Sequence, residues 1–278
     1  MRTMRLFVGM LLVLLTAIGA EAAVTAPINV GLQDVIDTVE KSYRTLTDVT
    51  TDFFQRSTLA EKKREMRADG QMFLKTASDG DPLKFRFDYF RPTTQEIVSN
   101  GRTMWMYLPE NRKVIQSDVS FVFDPLRFNP DRDRASNFLQ GLGRISKDFL
   151  TTFSPQGRDV DGNYILELNP RRATETIEKL FIVVQRDAVY LYTQKRMQLK
   201  RPLTLDEYQQ LVNSIAVGNI QRDQTAFPVL STTVIDHQGN TTIMEFSNPK
   251  ADTRLSDQLF EFTIPASVEV VMPPGSQR

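Results

Sequence analysis

The sequence predicts a mainly β, α+β fold in which one large antiparallel sheet curls around its contents, with a helix in front of it. Three observations carry this expectation. A helical apolar period occurs near the N-terminus, short β-rich runs then recur along most of the chain, and turns rich in Gly, Asn, Asp and Pro separate them. The clearest run is Lys84–Tyr89, where Phe85, Phe87 and Tyr89 occupy one face and Lys84, Arg86 and Asp88 the other.

Leu32, Val35, Ile36, Val39, Tyr43 and Leu46 recur at steps of three and four, which makes a helix with one apolar face; Asp34, Asp37, Glu40, Lys41 and Arg44 fall between them. Val49–Thr58 and Met66–Lys75 read as strands joined by a charged tip, Glu61–Glu65. A turn at 76–82 leads into the aromatic strand. Thr94–Ser99 and Thr103–Leu108 form a hairpin across Asn100-Gly101, because that dipeptide suits the left-handed positions of a tight turn. Lys113–Phe123 is a further strand. From Asp124 to Phe153 the pattern breaks, with short helical pieces expected at Ala135–Leu142 and Ser146–Phe153. Strands follow at Asp159–Leu168, Leu180–Val184, Val229–Ile235 and Thr241–Phe246, and Phe260, Phe262 and Ile264 alternate near the end. Between them lies a helix from Leu203 to about Val217, striped by Leu205, Tyr208, Leu211, Val212 and Ile215.

Composition narrows the chemistry. With no Cys there is no disulfide, thiolate metal site, cysteine nucleophile or lipid-modified cysteine, and with His237 as the lone histidine no multi-histidine metal site. Thirty-four basic side chains balance 34 acidic ones, against the expectation for a nucleic-acid binder. His237 sits in the turn composition Asp236–Asn240. The stretch from Asn129 to Asp133 lacks the glycine and the glutamate of a calcium loop, with Arg134 and Gln140 at those places. No catalytic residue, cofactor or metal is assigned.

Met1–Ala23 has the form of an export signal: Arg2 and Arg5, an apolar run from Leu6 to Ile18, then Ala20-Glu21-Ala22. That run is short for the ~20 residues a bilayer core needs. Cleavage after residue 22 is expected, leaving a single domain over 23–278.

The order of several segments resembles the LolA-type periplasmic outer-membrane lipoprotein carriers. They are Phe85–Pro92, an aromatic strand ending in Tyr89-Phe90-Arg91-Pro92; Asn100-Gly101 leading to Trp105-Met106-Tyr107; Gln55 and Gly70 in the first two strands; and Phe260-Glu261-Phe262-Thr263-Ile264-Pro265 near the end. The resemblance covers roughly 30–185 and 225–271. It implies an unclosed, curved antiparallel β-barrel with a helical lid over an apolar cavity. It also implies a non-enzymatic, monomeric chaperone of the periplasm that shelters lipoprotein acyl chains. Its partners would be acylated lipoproteins, an inner-membrane ABC-type release complex and an outer-membrane lipoprotein acceptor. A second reading is a related carrier or sensor for another amphiphile such as a glycolipid, and a third is a secreted lipid hydrolase. An acylated anchor of on the order of 40 methylenes, at ~0.8 kcal/mol each, would cost ~30 kcal/mol in water, so a carrier must enclose it.

On this resemblance Phe73, Phe85, Phe87, Tyr89, Met104, Trp105, Met106 and Tyr107 are the expected cavity lining, with Met72 as adaptable filler. Phe138, Leu139 and Leu142 are the expected lid contacts. Asp81 precedes Pro82 where the family carries a lid-locking arginine, which leaves Arg86 or Arg91 as substitutes. The segment 186–224 matches nothing in the family pattern; it is expected to pack on the barrel's outside or end, with docking to a membrane partner or anionic headgroups as the functional alternative.

Overall fold

The computed structural model describes residues 28–77, 82–119, 142–171, 177–216, 218 and 220–272. The export signal, Phe138, Leu139 and Asp81 lie outside the described residues.

Helix α1 (Leu32–Thr45) is followed by β1 (Asp48–Leu59), β2 (Arg64–Lys75), β3 (Lys84–Arg91), β4 (Gln95–Ser99), β5 (Thr103–Leu108) and β6 (Lys113–Asp118). After the short helix α2 (Ile145–Asp148) come β7 (Phe149–Arg158), β8 (Tyr164–Pro170) and β9 (Lys179–Val184). Three helices follow, α3 (Arg186–Leu199), α4 (Leu205–Asn213) and α5 (Ile220–Ala226), then β10 (Val229–Ile235), β11 (Thr241–Ala251) and β12 (Glu269–Val271). These strands form one 12-stranded sheet in the order β12-β6-β5-β4-β3-β2-β1-β11-β10-β9-β8-β7. β12 runs parallel to β6, and every other neighbouring pair is antiparallel. The two end strands, β12 and β7, do not pair with each other, so the curved sheet stays unclosed.

Two glycines permit the sheet's tightest approaches. A Cβ on Gly70 would stand 2.0 Å from the Asp88 carbonyl oxygen on β3, so only glycine fits where β1–β3 close up. Gly101 has φ +85 in the β4–β5 turn, and a Cβ there would meet Pro82 at 2.3 Å. The start of β1 is anchored by Asp48, a buried carboxylate that accepts hydrogen bonds from the backbone N–H of Thr253 (2.7 Å) and Arg254 (3.0 Å). These bonds satisfy the loop after β11 and hold both chain segments at the same end of the sheet.

Several expectations are corrected. Residues 149–153 belong to strand β7: Phe149, Leu150 and Phe153 fit a helical step, but Phe149–Phe153 pairs with Leu166–Pro170 of β8. Asp159–Asn163 forms the turn before β8, with Asp159 Oδ1 accepting from the N–H of Asp161 and Asn163 at 3.0 and 2.8 Å. Around Phe260 there is a 3-10 turn, Asp257–Phe260, in place of an alternating strand, because Phe260 turns into a fully buried site. The helix expected from Leu203 begins at Leu205 and ends at Asn213; Thr204 and Glu207 close a reciprocal cap at its start, at 3.2 and 2.8 Å.

The segment 186–224 does not sit on the outside. Val189, Tyr192, Tyr208 and Val212 from α3 and α4 join Val35, Val39 and Tyr43 of α1 in one continuous core with the sheet. The joint is also polar: the Tyr192 hydroxyl donates to Asp37 Oδ2 at 2.5 Å, and Arg196 Nε meets Asp34 Oδ1 at 2.5 Å. Tyr192 and Tyr208 are fully buried, and each such ring withdraws enough apolar surface to contribute ~1.5–3 kcal/mol. α3 and α4 are therefore part of the hydrophobic centre.

Candidate acyl-binding face

Strand pairing decides which side chains share a face, since directly opposed residues of antiparallel strands point the same way. Starting from β1, Val49, Thr51 and Phe53 oppose Leu74, Met72 and Gly70 of β2, and these oppose Phe85, Phe87 and Tyr89 of β3. Phe85 and Phe87 oppose Ser99 and Ile97 of β4, which oppose Met104 and Met106 of β5. One face thus gathers Phe53, Met72, Phe85, Phe87, Tyr89, Met104 and Met106. It is the face that α1, α3 and α4 join, because Met72, Phe85, Phe87 and Tyr89 belong to the same core as Val39 and Tyr192.

Phe73, Trp105 and Tyr107 do not belong to it. Phe73 opposes Arg86, and Arg86, Val98 and Trp105 align on the other face, as do Glu96, Tyr107 and Val114. There Trp105 and Tyr107 lie against the Phe262 ring, with centroids 6.3 and 5.6 Å away. The reason is parity. β5 reads Thr-Met-Trp-Met-Tyr-Leu, apolar on both sides, so adjacent residues that look equally suited to line a cavity are divided between two faces. The C-terminal segment that covers the second face carries Phe260 and Phe262, which explains why that face is apolar as well.

The covered face is filled by the protein's own side chains. Met72 is fully buried, and Phe85 and Phe87 are 2% and 5% exposed. Phe53 meets Phe87 and Tyr89 edge to face at 5.7 and 4.9 Å, the geometry aromatic quadrupoles favour. Towards the β1–β2 tip the face turns polar: the Tyr89 hydroxyl donates to Gln55 Oε1 (2.9 Å), Gln55 Nε2 donates to Ser57 Oγ (3.1 Å), and Ser57 lies 3.3 Å from the Thr242 hydroxyl. Burial pushes the Tyr89 phenol up to about 12, so it remains a neutral donor. Burial also raises the Tyr43 phenol far above its usual range, and its hydroxyl has no hydrogen-bond partner among the described residues.

Leu142 is buried in the core beside α1. Neither candidate replacement for the lid-locking arginine reaches the covered face. Arg86 is on the opposite one, paired with Asp88 and Glu96 at 2.8 Å each, and Arg91 is 79% exposed with Asp69 at 2.9 Å. The charged contacts that do bind a helix over the sheet, Asp34–Arg196 and Asp37–Tyr192, were not anticipated. Their signal is an Asp at each of two positions on the buried side of α1, which an amphipathic pattern would otherwise leave apolar.

An unclosed antiparallel sheet holding helices against an aromatic- and methionine-rich face defines an open half-barrel with a sheltered apolar interior. The chain belongs to the LolA family: residues 44–195, more than half its length, match the family described as Outer membrane lipoprotein carrier protein LolA. The match extends into α3, the first part of the segment that the sequence pattern left unmatched. An outer-membrane lipoprotein carrier protein of Francisella tularensis subsp. novicida is 22% identical over 244 residues, covering 88% of this chain and 91% of the relative. One from Alkalilimnicola ehrlichii is 32% identical over 102 residues, covering 36% and 41% of the two chains. A LolA-superfamily structure from Nitrosomonas europaea is 14% identical, covering 84% of this chain and 99% of its own, with a TM-score of 0.36. No helix among the described residues is long and apolar enough to cross a membrane.

Proposed function

We propose that this protein is a periplasmic carrier that takes the acyl chains of lipoproteins onto the covered face of its half-barrel and moves them from the inner to the outer membrane. It would receive cargo from an inner-membrane ABC-type release complex and deliver it to an outer-membrane acceptor, after export and removal of residues 1–22. Sequestration is reversible and makes no covalent bond. The single observation that carries the reading is the continuous face of Phe53, Met72, Phe85, Phe87, Met104 and Met106 on an unclosed sheet. In the unloaded protein these side chains and the helices fill that face, which removes exposed apolar surface that would otherwise cause aggregation. Loading replaces those contacts with acyl methylenes, so the helices must yield. The net affinity is then the difference between two apolar environments, small enough to allow hand-over.

Titration with a synthetic triacylated lipopeptide, followed by calorimetry, tests this. Saturable binding with a negative heat-capacity change is expected, and none with the same peptide lacking acyl chains. Binding of glycolipid but not lipopeptide would replace lipoproteins with another amphiphile as cargo, and no binding of either would overturn the reading.

A further inference from the structure

The β1–β2 hairpin outreaches the core. Its base alternates buried and half-buried positions, but from Phe54 to the tip and back to Arg67 no residue of either strand is buried. At the tip, Lys62, Lys63 and Arg64 are exposed and make no ion pair among the described residues, whereas Arg67 is matched by Glu65 at 2.6 Å. Beside these cations stands Met66, 41% exposed, and at the end of β3, where Asp69 pairs with Arg91, Phe90 is 57% exposed. Met66 thus keeps apolar surface in water beside cations that pair with no acidic side chain among the described residues, so one partner can take both.

We propose that this tip docks the protein onto an anionic phospholipid bilayer, with Lys62, Lys63 and Arg64 against headgroup phosphates and Met66 and Phe90 in the interfacial layer. Three observations favour a bilayer over an acidic protein face. The cations stand exposed on a protruding turn, without the fixed carboxylate-matching geometry of a bidentate arginine site. The apolar residues Met66 and Phe90 are few and stand apart, and neither lines the open pocket at Phe54, Arg67, Ala68, Asp69, Arg91 and Pro92. A bilayer surface asks only for charge near phosphates and a shallow apolar insertion. The covered face grades into this end through Gln55, Ser57 and Ala68, so docking would bring the polar rim of the half-barrel to the membrane. The proposal concerns the tip alone and does not depend on which cargo the covered face accepts.

The test is flotation of the processed chain, residues 23–278, with vesicles of phosphatidylcholine alone and of phosphatidylcholine mixed with phosphatidylglycerol. Binding is expected only to the mixed vesicles and should weaken as salt rises. Each lysine or arginine near an anionic surface contributes about fivefold in affinity, so Lys62→Gln/Lys63→Gln/Arg64→Gln should lose on the order of a hundredfold. Met66→Ser should lose severalfold. All four positions are exposed, so thermal unfolding and lipopeptide binding should stay as in the parent chain. A matched control, Arg112→Gln/Lys147→Gln/Lys200→Gln, should lose far less. Equal loss from the control triple, undiminished binding by the tip triple, or no preference for phosphatidylglycerol would overturn the proposal. The last result would leave an acidic protein surface as the partner of the tip.

Discussion

The hydroxyl of Tyr192 donates to Asp37 Oδ2 at 2.5 Å, joining α3 to α1 inside the hydrophobic centre. Tyr192 is fully buried, so this one side chain ties α1 to α3 within the core. Gln33 and Lys41 approach the same carboxylate at 2.6 and 3.9 Å. Loss of a charge-assisted donor inside the core strands part of a desolvated carboxylate, which is costlier than the mean worth of a hydrogen bond.

Tyr192→Phe should therefore lower stability by about 1–3 kcal/mol in urea unfolding with little change in slope. Burial first, then the Asp37 carboxylate, raises the Tyr192 phenol far above its ordinary value. A raised folded-state value contributes stability that is complete below the unfolded phenol's titration near 10 and is lost as pH climbs above it. The parent chain should lose stability faster than Tyr192→Phe as pH rises beyond 10. Parallel alkaline profiles would contradict this.

At the acid end the exposed Arg201–Glu207 pair is the probe. Glu207 is lowered to about 2 by hydrogen bonds from Arg201 and from the Thr204 backbone. A depressed folded-state value contributes stability that is present above the unfolded carboxylate's value of about 4.5 and is lost as pH falls towards 2. Glu207→Gln should lower the melting temperature slightly at neutral pH, with the gap to the parent closing between pH 4.5 and 2. The effect is small because the pair is solvated. A gap that persists at pH 2 would show that the cap, and not the charge, sets the difference.

Gly70→Ala tests the close approach of β2 to β3. Its added methyl meets backbone at Asp88 and the Phe53 ring at 2.8 Å, so the strands must part, at a cost of about 3 kcal/mol. Chemical unfolding measures it; a loss below about 0.5 kcal/mol, the scatter of ordinary surface substitutions, would contradict that packing.

Phe262→Ala separates the two sheet faces. Trp105 is the chain's one tryptophan, so its emission reports on that site alone. Removing the neighbouring ring should shift the emission to the red and lower stability by about 1–2 kcal/mol, while lipopeptide affinity stays unchanged. A large loss of affinity would place the cargo on the Trp105 face.

Much of the fold was legible because local patterns and turn chemistry agreed. Phe85, Phe87 and Tyr89 alternate with charged residues, so their strand could be read directly, and Asn100-Gly101 announced its hairpin. β5 was legible as a strand but not as a face, since Met104, Trp105, Met106 and Tyr107 carry no polar alternation; only pairing with β4 tells them apart. Residues 149–153 satisfied a helical and an extended pattern alike, and the partner strand β8 decided between them. α3 went unread because Tyr190 and Leu191 stand between its buried positions, Ala188, Val189, Tyr192 and Thr193, so no polar face marks the helical period, and its role comes from a carboxylate far away in sequence. The polar joint between α1 and α3 is a tertiary fact that no local period encodes.

The central claim, that acyl chains occupy the face shared by Met72, Phe85, Phe87, Met104 and Met106, is tested most directly by mapping cross-links. A triacylated lipopeptide carrying a photoactivatable group within its chains would be bound, irradiated, and its adducts located by peptide mass spectrometry. Adducts are expected on β2, β3 and β5 at those side chains and on the facing side of α1. Adducts confined to Phe73, Trp105, Tyr107 or Phe262, or labelling no different from that of the unfolded chain, would contradict it.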